Sequence, residues 1–216
     1  MILLSVDTSG TKGSLALAHP QKKLTQVVWT KKAMHSEVAT VELQNLLSQT
    51  KVELHELTHL LVNVGPGSFT GLRVGLSLVK TLAYSLGLPV ASINTLESLA
   101  FSKTTPGEKI LVATKAVQNF YYAARYLHHD SGLEVLTAPA PVEESQLAEL
   151  SLGCTKVLIE GKTAGFEAAS EARDLVELME ACGSSLKFSD WKTVQPLYLR
   201  ASEAEEKLKK GLLRPV

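Results

Sequence analysis

Two short stretches place ligand-holding residue types in turns: Asp7, Thr8 and Ser9 in "SVDTSGTKG", and Gly65, Gly67 and Ser68 in "NVGPGSFTGLR". A strand that ends in a glycine turn and opens a helix offers free N–H groups and a helix dipole, which together favour an anion. The structural reading of the same residues is that Gly65 and Gly67 permit a tight strand-to-helix reversal while Ser68 caps the helix. For the first stretch, Asp-Thr-Ser-Gly is an ordinary turn composition. Locally the structural reading carries more weight at both.

The commonest phosphate and nucleophile motifs are excluded by spacing. A P-loop requires Lys and then Ser or Thr after its last glycine, whereas Leu72 and Arg73 follow Gly71. A nucleophile elbow requires a serine two residues from glycines on either side, whereas Ser68 directly follows Gly67. In actin-like ATPases and sugar kinases, an acidic residue in a hairpin such as that of Asp7 organises phosphate and magnesium, so an enzyme of that class stays open as an alternative.

Histidines and cysteines point away from metal. Only His55 and His59 have a four-residue spacing, and His59 falls where a strand begins, so they do not share a helical face. His128 and His129 alternate across a strand. Cys154 and Cys182 have neither metal-ligand nor redox spacing and read as small buried hydrophobes. No metal site is expected.

The elements that must position the turns follow from hydrophobic patterning. "ILLSVD", "GSLALA" and "LTQVVW" read as a three-strand meander, and residues 36–50 as a helix, with Ser36 at its cap. "THLLVNVG" is a buried strand, the helix from Ser68 to Leu86 follows, and "GLPVASIN" is a further strand. The Pro/Gly stretch at 101–109 suits a domain connection. Beyond it lie two paired strands, "ILVATKA" and "NFYYAARYLHH", then "LEVLTAPAPV" with its exit loop and the short helix "EESQLAEL". "TKVLIEG" is the next strand, residues 170–183 form an amphipathic helix ending at Gly183, and a charged C-terminal helix closes the chain. The expected division is an N-terminal lobe at 1–100 with a helix at 193–216 packing back on it, and a second lobe at 101–192. No internal repeat or low-complexity tract is visible.

Bulk properties limit the function classes. The chain has 216 residues, 45% of them hydrophobic, enough for one good core or two small lobes. Its 22 basic and 22 acidic residues leave no net field to draw it onto nucleic acid or an anionic membrane. No run reaches the about 18 apolar residues of a membrane span, and "MILLSVDTSG" lacks the pattern of a signal peptide. A cytoplasmic protein is expected.

The helix after the Gly-Pro-Gly turn carries only Arg73 and Lys80 as charges between Phe69 and Leu86, with apolar residues nearly all the way round. Such a helix is covered on more than one side. Gly71 and Gly75, four apart, would let a neighbouring helix backbone approach. A central helix within its own lobe and a subunit interface account for this equally well.

"LLSVDTS", "HSE" at 35–37, "GPGSFTGLRVGLSLVKTLA", "NTLESLA" and "PLYLR" together resemble the TsaB (YeaZ) family of bacterial proteins. The resemblance implies an α/β, two-lobed actin-like ATPase (ASKHA) fold and a part in making threonylcarbamoyladenosine beside the anticodon of tRNAs that read A-starting codons. It further implies a noncatalytic subunit that binds the related transferase TsaD as a heterodimer, with TsaE in a larger complex. The family pairs with itself when TsaD is absent, and meets tRNA mainly through the complex. Matching strands places the two metal-binding histidines of TsaD at Asn94 and Ser98, which cannot replace imidazoles.

Through the first two helices the resemblance implies a partner interface at Val38, Val41, Asn45, Phe69, Leu72, Arg73, Leu76 and Lys80. Asp7, Thr8, Ser9, Gly65 and Gly67 become vestigial or assisting nucleotide loops. No cofactor of the chain itself is expected, although ATP or ADP could lie at the complex boundary. Where many relatives have D-A-R in the second lobe, this chain has Lys115 and Val117 in place of the acid and the base. Two other classes stay open: an ATPase or small-molecule kinase acting alone through Asp7, and a protease, for which the chain shows no nucleophile and base constellation.

Overall fold

The N-terminal meander starts with β1 (Leu3–Asp7), whose Leu3, Leu4 and Val6 put apolar side chains on both faces and which is buried along its whole length. In this computed structural model, which describes residues 1–30, 35–183 and 186–199, β1 pairs antiparallel with β2 (Lys12–His19), and β2 pairs with β3 (Lys22–Thr30). After α1 (His35–Thr50), β4 (His59–Asn63) runs parallel to β1. After α2 (Phe69–Leu86), β5 (Val90–Ile93) runs parallel to β4. The resulting five-stranded sheet has the order β3-β2-β1-β4-β5.

A second sheet repeats this plan. β6 (Lys109–Lys115), β7 (Phe120–His129) and β8 (Gly132–Glu143) form an antiparallel meander, and β9 (Lys156–Ile159) returns parallel to β6, giving the order β8-β7-β6-β9. The duplication is one of topology and therefore has no short sequence period. Between the sheets lies α3 (Thr95–Lys103), opened by a capping box in which Asn94 accepts from Glu97 N–H at 2.9 Å. The sequence reading passed over this helix, although Asn94-Thr95-Leu96-Glu97 is a start signal. Leu96, Leu99 and Ala100 of α3 pack on Ile110, Val112, Ala124 and Tyr126 of the second sheet.

The first sheet is covered on both faces. Leu4, Val6, Leu15, Leu60 and Val62 point toward α1 and α2, while Leu3, Ala16, Leu61 and Ile93 meet Leu175, Val176 and Met179 of α5 (Ala172–Cys182). The boundary expected at 101–192 therefore cuts across the packing: α5 lies within that stretch but covers the first sheet. Its apolar face fits any flat apolar surface, and the loop after β9 delivers it to the N-terminal one.

The stretch 186–199 follows the same route without forming a helix. Ser189 bridges Val90, Val194 is buried, and Leu197 N–H donates to Val64 O at 2.7 Å. Of the C-terminal helix expected at 193–216, residues 193–199 are irregular and 200–216 lie outside the described residues. Ser36 falls inside α1 rather than at its cap, and the short helix after β8 is a 3₁₀ turn followed by α4 (Leu147–Leu150).

Candidate functional site

The two turns singled out in the sequence meet. Asp7 ends β1, Asn63 ends the parallel neighbour β4, and the Gly65–Gly67 turn leads from β4 into α2. Asp7 Oδ1 accepts from Ser9 N–H at 2.8 Å and from Ser9 Oγ at 2.7 Å. Asp7 Oδ2 accepts from Asn63 Nδ2 at 2.8 Å and from Ser170 Oγ. The carboxylate thus receives four donors from its own chain. Burial pushes its pKa above the ordinary aspartate value, and the bonds from Ser170, Ser9 and Asn63 act against that shift.

The glycine turn is closed in the same way. Ser68 N–H donates to Ser9 O at 2.7 Å, and Ser68 Oγ caps α2 by accepting from Gly71 N–H at 3.2 Å. Gly65 N–H donates to Asn63 Oδ1 at 2.8 Å, and Thr8 Oγ1 donates to Gly71 O at 2.7 Å. A side chain at Gly67 would put Cβ 2.4 Å from Ser9 O, and one at Gly71 would put it 2.0 Å from Thr8 O. Gly71 and Gly75 thus admit the Asp7 turn of the same chain, not a neighbouring helix. Asn63, Thr95 and Ser170 complete this network, and the sequence reading named none of them for it. The one local signal was an asparagine ending an otherwise apolar strand.

The partner-face candidates separate into two groups. Leu72 and Leu76 are 2% and 5% exposed and point into the protein, Leu76 into the core under the sheet, so they present nothing to a partner. The periodicity of α2 explains the difference: Gly71, Leu72, Gly75, Leu76, Val79, Leu82 and Ala83 form the buried stripe. On other faces Val41 is 52% exposed, Phe69 41% and Tyr84 73%. Arg73 and Asn45 are also exposed, while Val38 and Lys80 are half-buried.

Arg73 places its guanidinium 3.9 Å from the Phe69 ring centroid and donates through Nε to Tyr198 Oη at 3.3 Å. The Phe69 and Tyr198 rings stack at 5.1 Å. Tyr198 belongs to the "PLYLR" stretch, and Tyr84 meets Trp191 edge to face at 5.8 Å, so the C-terminal stretch clasps one margin of α2.

At the positions matched to metal ligands, Asn94 caps α3 and the Ser98 Oγ is buried with no hydrogen-bond partner among the described residues. His55 is exposed beside Glu53, and His59 packs edge-on against Phe188 at 4.7 Å. His128 is buried against Thr104 Oγ1 at 2.8 Å, while His129 faces outward to Glu134 at 2.9 Å. Among the described residues, no three His, Cys, Asp or Glu side chains converge on a metal-sized space. None of their helices is long and apolar enough to cross a membrane.

Two units, each a meander with a parallel strand added beside its first strand, make a two-lobed α/β fold of mixed sheets flanked by helices. The family model described as TsaD, tRNA N6-adenosine threonylcarbamoyltransferase, matches residues 26–193. The chain belongs to this family, in its TsaB (YeaZ) branch.

Its relatives include "tRNA threonylcarbamoyladenosine biosynthesis protein TsaB" of Bacillus subtilis, 35% identical over 100 residues, 46% of this chain and 44% of that one. The protein of the same name from Escherichia coli is 28% identical over 196 residues, 81% of this chain and 84% of that one. The matched stretch spans less than half the length of the Bacillus relative, and 60% of the TsaB of Buchnera aphidicola. The solved structure of YeaZ from Pseudomonas aeruginosa shares the fold at a TM-score of 0.75 with 19% identity, covering 92% of this chain and 99% of that one.

Proposed function

We propose that this chain works in making threonylcarbamoyladenosine on tRNA, as a noncatalytic subunit that holds TsaD in its working form. The observation that carries the reading is the outer surface of α1 and α2, which lie side by side over the first sheet and expose Val41, Phe69, Arg73 and Tyr84. Aromatic residues and arginine are the types that anchor protein interfaces.

The Asp7 turn supports the same reading. Its carboxylate and glycine turn are committed to each other, which is a folding role and leaves the transfer chemistry to the partner. TsaE joins the larger assembly, tRNA is reached mainly through it, and a nucleotide at the TsaD boundary contacts this chain without being hydrolysed by it. Without TsaD the same face pairs two copies, and the protein works in the cytoplasm.

The test is threonylcarbamoyl transfer to tRNA in a reconstituted system holding the cognate TsaD and the upstream synthase, with and without this chain. Modification that requires the chain, although the chain alone is inactive, is the expected result. Equal modification without it overturns the proposal.

A further inference from the structure

Beside the closed turns a cavity of about 390 Å³ opens between the first lobe and the flank of β9, and none of Asp7, Thr8, Ser9, Gly65 or Gly67 lines it. Its volume lies in the range of small-molecule sites. Three lysines reach it from three separate elements: Lys12 at the start of β2, Lys103 at the end of α3 and Lys156 at the start of β9.

The same wall carries the carboxylates of Glu167 and Glu171, so the lining keeps an excess of one positive charge. Glu171 Oε2 accepts from Gln26 Nε2 at 2.6 Å, and the Glu171 side chain also accepts from the backbone within the first turn of α5. Glu167 is exposed. Among the described residues none of the three lysines forms an ion pair with a carboxylate. Lys156 Nζ instead donates to the backbone carbonyl Lys103 O at the end of α3, where the helix dipole favours a cation.

An excess of positive charge around a concave surface focuses a positive potential into the space between, which an anion would meet on entering. Phe166, half-buried against the second core, adds an apolar surface to the same cavity. We propose that this cavity binds a small phosphorylated compound, its phosphate among the three lysines and an apolar or planar part against Phe166. Such a ligand touches both sheets and the connection to α5, so it braces the two lobes against each other.

Phenyl phosphate is a fitting probe, since it carries a dianion and one ring. Calorimetric titration into the whole chain should give saturable binding, weakened roughly tenfold or more by Lys12→Ala or Lys156→Ala, as loss of a charge-assisted contact requires. Glu167→Gln, an exposed change that removes a repelling charge, should tighten binding without altering the fold. Lys109→Ala, on β6 outside the cavity, should leave it unchanged. Absence of saturable binding at millimolar probe overturns the proposal, as does an equal loss from Lys109→Ala, which would mean diffuse attraction to surface lysines.

Discussion

Asn63 donates to Asp7 Oδ2 at 2.8 Å while its own Oδ1 accepts from Gly65 N–H at 2.8 Å and Thr95 Oγ1 at 3.0 Å. One side chain thereby ties the end of β1, the glycine turn and the first residue of α3. The Asp7 carboxylate and the Gly65 and Ser68 N–H groups are thus hydrogen-bonded within the chain.

This makes Asp7 a stability residue. Asp7→Ala removes the acceptor and leaves the buried donors of Ser9, Asn63 and Ser170 unsatisfied, whatever the protonation of the native carboxyl, at a cost of about 1–3 kcal/mol each. Urea denaturation of Asp7→Ala should show a clearly lower midpoint with an unchanged slope. A residue kept for handling nucleotide would instead leave stability unchanged or raise it on substitution.

Gly71→Ala should destabilise more than Gly87→Ala. Alanine in a helix interior is normally better than glycine by about 1 kcal/mol. At Gly71, however, the new Cβ would stand 2.0 Å from the Thr8 carbonyl oxygen, which is backbone and cannot swing away. At Gly87 nothing lies within 4 Å and only the left-handed φ of 67° opposes the change, a cost of about 1 kcal/mol. Melting temperatures of the two variants, with Gly71→Ala lower by several degrees, check the ordering.

Charge placed on α2 should separate the core from the proposed partner face. Leu76→Glu buries a carboxylate among Leu4, Val6 and Leu60 and should prevent folding, seen as loss of a cooperative melt. Arg73→Glu lies at the surface and should fold, costing only the contacts with Phe69 and Tyr198. If the proposed interface is correct, Arg73→Glu and Val41→Glu co-elute less with TsaD on gel filtration, while circular dichroism remains that of the parent.

The contrast between Leu76 and Arg73 also shows what the sequence could and could not disclose. Strand alternation in β1 to β3 and the helical spacing in α1 and α2 are local, so those elements were legible with bounds close to the observed ones. The inner face of α2 was not, because apolar residues nearly surround it; contact between Gly71, Gly75 and Thr8 decides it, and that is a relation across more than sixty positions. α5 is amphipathic in sequence, but nothing in its pattern names the sheet it covers. Ser170 reaches Asp7 only because the loop after β9 carries it there. Asn94 and Glu97 did carry a readable signal, since a capping box needs only four residues.

Asp174 gives a pH dependence with a definite sign. Its carboxyl is pushed from 3.8 up to about 6, first by burial, then by Glu171 and Glu177, with the Glu171 backbone bond and Lys103 opposing. A raised carboxyl pKa means that the folded state holds its proton more tightly than the unfolded chain. The contribution is fully present below the unfolded value and is lost as pH rises through about 6. A two-unit shift corresponds to at most about 3 kcal/mol, reduced by solvent screening of a half-buried group. Asp174→Asn retains an oxygen to accept from Glu171 N–H, now made at 2.9 Å, and removes the titration. The variant should therefore be more stable than the parent at pH 8, and the gain should shrink as pH falls from 6 toward 4. Urea midpoints for both proteins across that range measure it, and a pH-independent difference would show that Asp174 does not carry the shift.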